Sequence, residues 1–489
     1  MYTRPVSNPK TLQDTLPETR ASRDDGGPAV PGVVLVFSRG RPVCSVFSGV
    51  DGVVVLGRDD DPSGALADRR MSRRHAEVRF GGDAVRVIDL GSRNGTFVDG
   101  ERVGQATLDS QTHVLRTGNS LFLICQDVRP FQSAGVQQLD GVVMGPFLLA
   151  AWRLIGRHAR SSETLFLHGE SGVGKEQAAR TYHRVSARSG SPLVAVNCGA
   201  IPGGMTERLF FGTKRGAYSG ATADAQGYVQ AAHGGVLFLD EVAELDLAIQ
   251  AKLLRVLESK EVLPLGAVRA TAVDFAICAA THRDLRAEVA QGRFRQDLYF
   301  RMGRPEVRLP PLRERREEIP FLIEYALRDA ATRDRQREPS PADLDGDDQP
   351  DEAALVAQTT SLQVHASFVE SCLIRQWPGN VRELLLETRA AAHEAIAHGS
   401  EWLKESHLEA RAGVGFAGTA GPGRRRRDDH SDGDSDAHSR PDRDLIVSEL
   451  RANHGNISGT ARALRVHRTQ LRRWIAHYEI DVTALRPRG

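Results

Sequence analysis

The chain is expected to be multidomain: an all-β sandwich at the N-terminal side, a central α/β domain with a phosphate loop and a helical lid, and an all-α C-terminal module. Three observations predict this. Short apolar runs separated by Gly and Asp turns fill the first part of the chain. A longer apolar run at Leu165 breaks into Gly169, Gly172 and Gly174 and ends on Lys175. Near the C-terminus, helical spacing resumes on both sides of a tight turn. With 489 residues the sequence is too long for one core, so several domains are the natural reading.

Composition narrows the class. Hydrophobic residues make up 40% and charged residues 26%, which is ordinary for a globular protein. Lys+Arg 64 against Asp+Glu 63 leaves no overall charge to drive nucleic-acid binding, so any such affinity must be local. Cys44, Cys125, Cys198, Cys278 and Cys372 are odd in number and lack CxxC spacing, and read as buried thiols in a reducing compartment. No apolar stretch approaches the roughly 20 residues of a membrane span, and there is no apolar signal core. A cytoplasmic protein is expected.

Residues 1–31, rich in Pro, Gly, Asp and Thr without periodicity, read as a disordered tail. Residues 32–127 read as the sandwich, with strands at 33–37, 43–47, 53–56, 76–80, 84–90 and 121–125. Its loops carry Arg58, then Ser72-Arg73-Arg74-His75, then Ser92-Arg93-Asn94-Gly95-Thr96. A guanidinium and a hydroxyl converging from two loops suit a dianionic phosphate. Taken singly, each of these residues is ordinary solvated polarity. Together they resemble a forkhead-associated (FHA) domain, a phosphothreonine-binding module. That resemblance implies that Arg58 and Ser72 contact the phosphate and that Asn94 bonds the ligand backbone. It also implies that His75 braces the loop, with Arg73 and Arg93 at neighbouring ligand-facing positions.

Residues 128–140 read as a connector and 141–411 as the α/β domain. Residues 145–160 have the spacing of an amphipathic helix with Phe147, Leu148, Trp152 and Ile155 on one side. The loop Gly169-Glu170-Ser171-Gly172-Val173-Gly174-Lys175-Glu176 follows an apolar strand and precedes a helix, so its backbone N–H groups and Lys175 can cradle phosphates. The general pattern has Ser or Thr after the lysine, where this chain has Glu176. Asp240 and Glu241 end a second buried strand at the edge where ligands of parallel sheets bind. Asp240 is placed to hold Mg2+ and Glu241 to orient and deprotonate a water against the γ-phosphate of ATP.

The central region resembles the AAA+ ATPase domain of bacterial enhancer-binding proteins, the activators of sigma-54-dependent RNA polymerase. That family carries GESGTGKE, which accounts for Glu176. It carries GAFTGA in the loop that engages the sigma factor, matched here by Gly216, Ala217, Tyr218, Ser219, Gly220 and Ala221. Further matches lie at 292–301, 309–315 and 377–384. By resemblance, Arg295 and Arg301 are arginine fingers reaching a neighbour's nucleotide, Arg382 is the sensor arginine and Thr281 the first sensor. Asn197 is the residue that pairs with Glu241 and releases it on partner binding. Tyr218 and Ser219 replace a phenylalanine and a threonine, and Leu209 stands where the family has glutamate. These departures bear on coupling to sigma-54 rather than on hydrolysis. They leave open a second reading, a phosphopeptide-responsive DNA-binding repressor or scaffold.

Polar residues from Arg328 to about Val364 read as a solvated insertion, followed by lid helices at 364–376 and 381–398. Residues 412–442 read as a disordered linker whose Arg424 to Arg427 cluster is neutralised by the Asp residues after it. Residues 443–482 read as a helix-turn-helix resembling the Fis-type DNA-binding ends of the same activators. Its third helix leaves Arg468, Thr469, Gln470, Arg472 and Arg473 to DNA. The whole is identified as an FHA-regulated, sigma-54-dependent activator. It is expected to be a dimer on enhancer DNA and a hexameric ring when active, downstream of a Ser/Thr kinase. No receiver module is read ahead of the sandwich, so its signal is expected to arrive as phosphothreonine.

Overall fold

Strand β1 (Gly32–Ser38) is buried along its whole length, which a sandwich strand with one solvated face would not be. It lies in a sheet of order β2-β1-β10-β9-β6-β7, made by β2 (Arg41–Ser48), β6 (Thr96–Val98), β7 (Glu101–Val103), β9 (His113–Thr117) and β10 (Ser120–Cys125). A second sheet has the order β3-β4-β5-β8, with β3 (Val53–Leu56), β4 (Ala76–Gly81), β5 (Ala84–Asp89) and β8 (Gln105–Leu108). Both are antiparallel, and Val33, Leu35, Val54, Leu56, Val78, Val87, Phe122 and Ile124 fill the space between them. The short strands β6 to β9 were not expected from the sequence. They are three to five residues long and carry polar residues, so alternation has little room to show.

The computed structural model describes residues 28–49, 51–58, 68–82, 84–218, 220–336, 362–415, 443–452, 460, 478 and 480. By internal contacts the chain divides into Met1–Thr419 and Ala420–Gly489. In the second unit, the helix expected from Asp444 is present as Arg443–Ala452, with Ile446 and Leu450 buried one turn apart. The rest of the predicted helix-turn-helix, including Arg468, Thr469, Gln470, Arg472 and Arg473, lies outside the described residues. So do the predicted tail before residue 28, Ser219, residues 337–361 and most of the linker.

The expected connector has structure of its own: helix α1 (Arg129–Ala134), which buries Phe131, and a hairpin of β11 (Gln137–Leu139) with β12 (Val142–Met144). Helix α2 (Pro146–Ser161) buries Leu148, Trp152 and Ile155 as its spacing predicts. Phe147, expected on that face, is 43% exposed and touches Phe131 edge-on. The parallel sheet has the order β14-β15-β18-β13-β19, with β13 (Thr164–His168), β14 (Leu193–Asn197), β15 (Val236–Asp240), β18 (Ala276–Thr281) and β19 (Glu306–Arg308). A small hairpin, β16 (Glu261–Val262) with β17 (Thr271–Ala272), stands beside it. Register aligns Asn197 with Asp240 and His168 with Thr281, so the polar residues ending these strands share one edge.

Three helices form a lid, of which the first and third reach that edge: α7 (Ile319–Gln336), α8 (Ala366–Ile374) and α9 (Asn380–Ala397). Helix α7 continues past Arg328, where a solvated insertion was expected. The residues from Asp329 to Gln336 are mostly polar but include Ala330 and Ala331 and no helix breaker, and the first proline is Pro339. The outer face of the N-terminal sheet packs on this lid. Val34, Val36, Val114, Leu121 and Leu123 form one cluster with Ile319, Ile323, Phe368, Val369 and Leu373, which explains why β1 has no solvated side. Polar links across this contact include Arg116 Nε to Glu370 Oε2 at 2.7 Å and Arg316 Nη1 to the Thr112 carbonyl at 3.1 Å.

Candidate functional site

Between β13 and helix α3 (Lys175–Val185) the chain turns through Gly172 at φ 75° and Gly174 at φ 112°, values that exclude most side chains. Crowding adds to this at Gly172, where a Cβ would stand 2.1 Å from the Gly379 carbonyl oxygen of the lid. Lys175 is buried, and its Nζ donates to the Gly169 carbonyl at 3.0 Å and to Glu241 Oε1 at 3.1 Å. The lysine is therefore centred over the loop and tied to the carboxylate predicted as the base.

Glu241 follows β15 in a left-handed conformation, φ 53°, which turns its side chain back over the sheet edge. Its Oε2 accepts from Thr281 Oγ1 at 3.2 Å, from the His282 N–H at 3.3 Å and from His282 Nδ1 at 2.7 Å. Burial alone would raise its pKa, but Lys175 and His282 outweigh it and hold the carboxyl below its ordinary range. Asp240 beside it moves the other way. Burial raises it, and Lys175 only partly opposes that. Two adjacent carboxyls are thus pushed apart, the pattern expected where they take different roles.

Asn197 ends β14 in register with Asp240, but its Oδ1 accepts from the Gly199 N–H at 3.0 Å. The expected Asn197 to Glu241 pairing is replaced by Lys175, Thr281 and His282. The sequence reading missed His282, although its place directly after Thr281 at the sheet edge was a signal. Ser171, Val173, Gly174, Glu176, Asp240, Glu241 and Arg382 line a cleft of about 590 Å³ with Val143, Leu148, Leu322, Tyr325 and Leu385 on its apolar side. Apolar walls with phosphate-directed groups at one end suit a nucleotide. Among the described residues no three His, Cys, Asp or Glu side chains gather as a metal cage. The cleft carries the carboxylates of Asp140, Glu176, Asp240 and Glu241, and a single one of these would suffice for a hard cation otherwise held by phosphate and water.

Arg295 and Arg301 do not line this cleft. Arg295 precedes helix α6 (Gln296–Met302) and is paired bidentately with Asp297 at 3.0 and 2.7 Å. Arg301 donates to the carbonyl of Leu257, on helix α5 (Leu247–Ser259), at 3.1 Å. Both are exposed. Helix α4 (Gly203–Phe211) leads into the loop at 216–221, which starts beside the bridge of Thr213 with Ala225. Gly216 N–H bonds the Ala221 carbonyl at 2.9 Å, closing the loop on itself. Tyr218 is 42% exposed, and its hydroxyl accepts from Arg208 Nη1 at 3.2 Å. Leu209 is half-buried on α4.

In the sandwich, Arg58, Arg73, Arg93 and Asn94 are exposed and Ser72 is half-buried. Their loops are bonded together: Arg58 N–H to the Ser72 carbonyl at 3.0 Å, Arg93 N–H to Ser72 Oγ at 3.2 Å, and Asn94 Nδ2 to the Arg70 carbonyl at 2.6 Å. His75, fully buried, accepts from the Ser72 N–H through Nδ1, and its Nε2 donates to the Gly95 carbonyl. Burial holds its pKa below the usual value, as a neutral brace requires. The five cysteines are free thiols, and burial pushes that of Cys44 up to about 11.

Two family models match the chain: the Sigma-54 interaction domain over residues 144–308 and the FHA domain over residues 54–123. The response regulator protein PilR of Pseudomonas aeruginosa is 51% identical over 192 residues, 39% of this chain and 43% of that protein. The transcriptional regulatory protein GlrR of Escherichia coli K12 is 33% identical over 453 residues, 91% of this chain and 93% of that protein. NtrX from Brucella abortus, solved in complex with ATP, is 25% identical and covers 70% of each chain with a TM-score of 0.47. The chain thus spans under half of PilR and nearly all of GlrR.

Proposed function

The chain belongs to the family of transcriptional regulators built on a sigma-54 interaction AAA+ domain, here with an FHA domain on its N-terminal side, and from that premise we propose that it is a phosphothreonine-regulated activator that uses ATP hydrolysis to open sigma-54 promoters. The observation that carries this reading is the convergence of Lys175, Glu241 and Arg382 on one cleft, with Thr281 bonded to Glu241 from behind, while Arg295 and Arg301 lie exposed away from it. ATP lies with its base against Val143, Leu148 and Leu385 and its phosphates on the 169–176 loop. Lys175 neutralises the outer phosphates, and Glu241 orients a water and takes its proton. Asp240 would hold a magnesium ion, which would supply charge neutralisation to the phosphates. Arg295 and Arg301 act on the nucleotide of the next subunit, so hydrolysis requires a ring, expected to be a hexamer.

The 216–221 loop, with Tyr218 at its tip, grips the sigma factor. The exposed Arg58, Arg73 and Arg93 with Ser72 and Asn94 receive a phosphothreonine segment, the output of a Ser/Thr kinase. The C-terminal module, through Arg468, Thr469, Gln470, Arg472 and Arg473, holds a dimer on enhancer DNA. No helix among the described residues is long and apolar enough to cross a membrane, and a cytoplasmic location suits these partners.

The test combines the full-length protein with sigma-54 RNA polymerase and a closed promoter, following phosphate release and permanganate reactivity of promoter thymines. ATP-dependent reactivity that is absent with Lys175→Ala supports the activator. Phosphate release without promoter opening favours the repressor or scaffold, which draws support from Leu209 and from the Tyr218 hydroxyl bound to Arg208.

A further inference from the structure

Four carbonyls of the 169–176 loop, those of Gly169, Glu170, Ser171 and Val173, accept from side chains. Lys175 Nζ donates to those of Gly169 and Glu170, at 3.0 and 3.4 Å. The other two donors come from the lid side. Asn380 Nδ2 donates to the Ser171 carbonyl at 3.0 Å, and Arg315 Nη2 to the Val173 carbonyl at 3.0 Å. In a planar trans peptide the C=O of one residue and the N–H of the next point in opposite directions. Pinning the Ser171 oxygen toward the lid therefore turns the Gly172 N–H away from it, and pinning the Val173 oxygen does the same for the Gly174 N–H. Those N–H groups belong to the glycines whose positive φ shapes the anion cradle.

We propose that Asn380 and Arg315 are positioning residues for nucleotide binding: from the lid side they fix the peptide planes that aim the Gly172 and Gly174 N–H groups at phosphate. The proposal rests on the ATP reading above and adds the groups that make the loop ready before phosphate arrives.

Both side chains are themselves held firmly. Asn380 is fully buried at φ 53°, which asparagine tolerates. Its Oδ1 accepts from the Leu312 N–H at 2.8 Å, and its Nδ2 also reaches Glu170 Oε2 at 3.1 Å. Glu170 in turn is clamped bidentately by Arg313 at 2.8 and 2.6 Å. Arg315, 1% exposed, donates Nε to the Pro310 carbonyl and pairs with Glu318, which accepts from the Gly145 N–H at 2.7 Å. Neither side chain has freedom to leave its carbonyl while the lid is seated. Arg315 lies just ahead of α7 and Asn380 opens α9, so lid position and phosphate affinity are one variable.

The experiment measures binding of ADP and of adenosine to the full-length protein by calorimetry and saturation-transfer NMR, with the phosphorus resonances of bound ADP as a signature of the phosphate environment. Asn380→Asp keeps the acceptor for Leu312 and removes the donor. Asn380→Gly removes both without added charge and tolerates the positive φ. Glu383→Gln, on the same helix, weakens bonds to the Gly379 and Gly413 N–H groups without touching a loop carbonyl. The expected result is a loss of about tenfold in ADP affinity in both Asn380 variants, the scale of one charge-assisted hydrogen bond, with adenosine unchanged. The β-phosphorus resonance shifts, and Glu383→Gln binds ADP normally even where its melting temperature falls as far. Parallel loss of ADP and adenosine would make Asn380 a structural residue only and overturn the proposal, as would unchanged ADP affinity. An unmodified chain that binds no ADP fails the nucleotide reading itself, and is told apart because the defect precedes any substitution.

Discussion

On the proposed reading the loop after β13 and the loops of the N-terminal sandwich both receive phosphate, by opposite means. The first relies on backbone N–H groups under a lid, with a buried lysine and carbonyls pinned by Asn380 and Arg315. The second relies on exposed guanidiniums, those of Arg58, Arg73 and Arg93, on loops tied to each other rather than to a lid. A backbone site is only as good as whatever holds the backbone, so distant residues should govern it. A side-chain site is a matter of local charge, so salt and single arginines should govern it. The two are also mechanically joined, because the sandwich buries the outer face of its larger sheet on the lid helices.

The largest effect that sharpens this contrast is in trans. Arg301→Ala or Arg295→Ala should lower ATP hydrolysis by about 10³ to 10⁵ while ADP affinity stays within about twofold, because both lie outside their own cleft and are proposed to act on a neighbour's nucleotide. Mixing each with Glu241→Gln subunits should restore part of the rate, which steady-state phosphate release reads directly. Glu241→Gln alone should cost roughly 10² to 10⁴ in rate with nucleotide binding kept. The same carboxylate carries a pH prediction. Lys175 and His282 hold its pKa below the usual value, so it stays ionised, and activity persists, below the ordinary glutamate range. His282→Ala removes one of those two supports, and the acid limb of the pH–rate profile should move to higher pH.

The joint between the regions is next in size. Phe368→Ala should cost about 3 to 5 kcal/mol, and the sandwich and the ATPase should still melt in one transition in calorimetry because they share a core. Two well-separated transitions in the unmodified protein would break that part of the comparison. The smallest effect expected is at the exposed site. Arg58→Ala should weaken a phosphothreonine peptide by roughly tenfold, with steep salt dependence and no change in ADP affinity.

Much of this was legible because the residues are forced into view by chemistry. Gly172, Gly174 and Lys175 can be read since few other residues turn a strand into a phosphate cradle, and Asp240 and Glu241 since a buried strand rarely ends on two carboxyls. The apolar runs at 33–37 and 121–125 showed strands of a sandwich, but not that both faces of β1 and β10 are covered. What covers them could not be read, because Phe368 and Ile323 lie hundreds of positions away and carry no sign of their partner. Asn380 and Arg315 sit inside recognisable motifs, yet their bonds to the Ser171 and Val173 carbonyls depend on a fold that brings the lid onto the loop. The same reason hid His282, whose contact with Glu241 exists only once β15 and β18 lie side by side. The end of α7 was misplaced because a mostly polar run without apolar periodicity looks like loop.

The central claim is that ATP chemistry in the cleft drives the 216–221 loop against sigma-54. Its most direct test is capture of purified sigma-54 by the full-length protein with ADP and a metal fluoride that mimics the γ-phosphate in transit. The account predicts a stable complex that forms with this mixture, fails with ADP alone and is lost in Lys175→Ala. No complex from protein that hydrolyses ATP would contradict it, and would mean that the loop bearing Tyr218 no longer engages the factor.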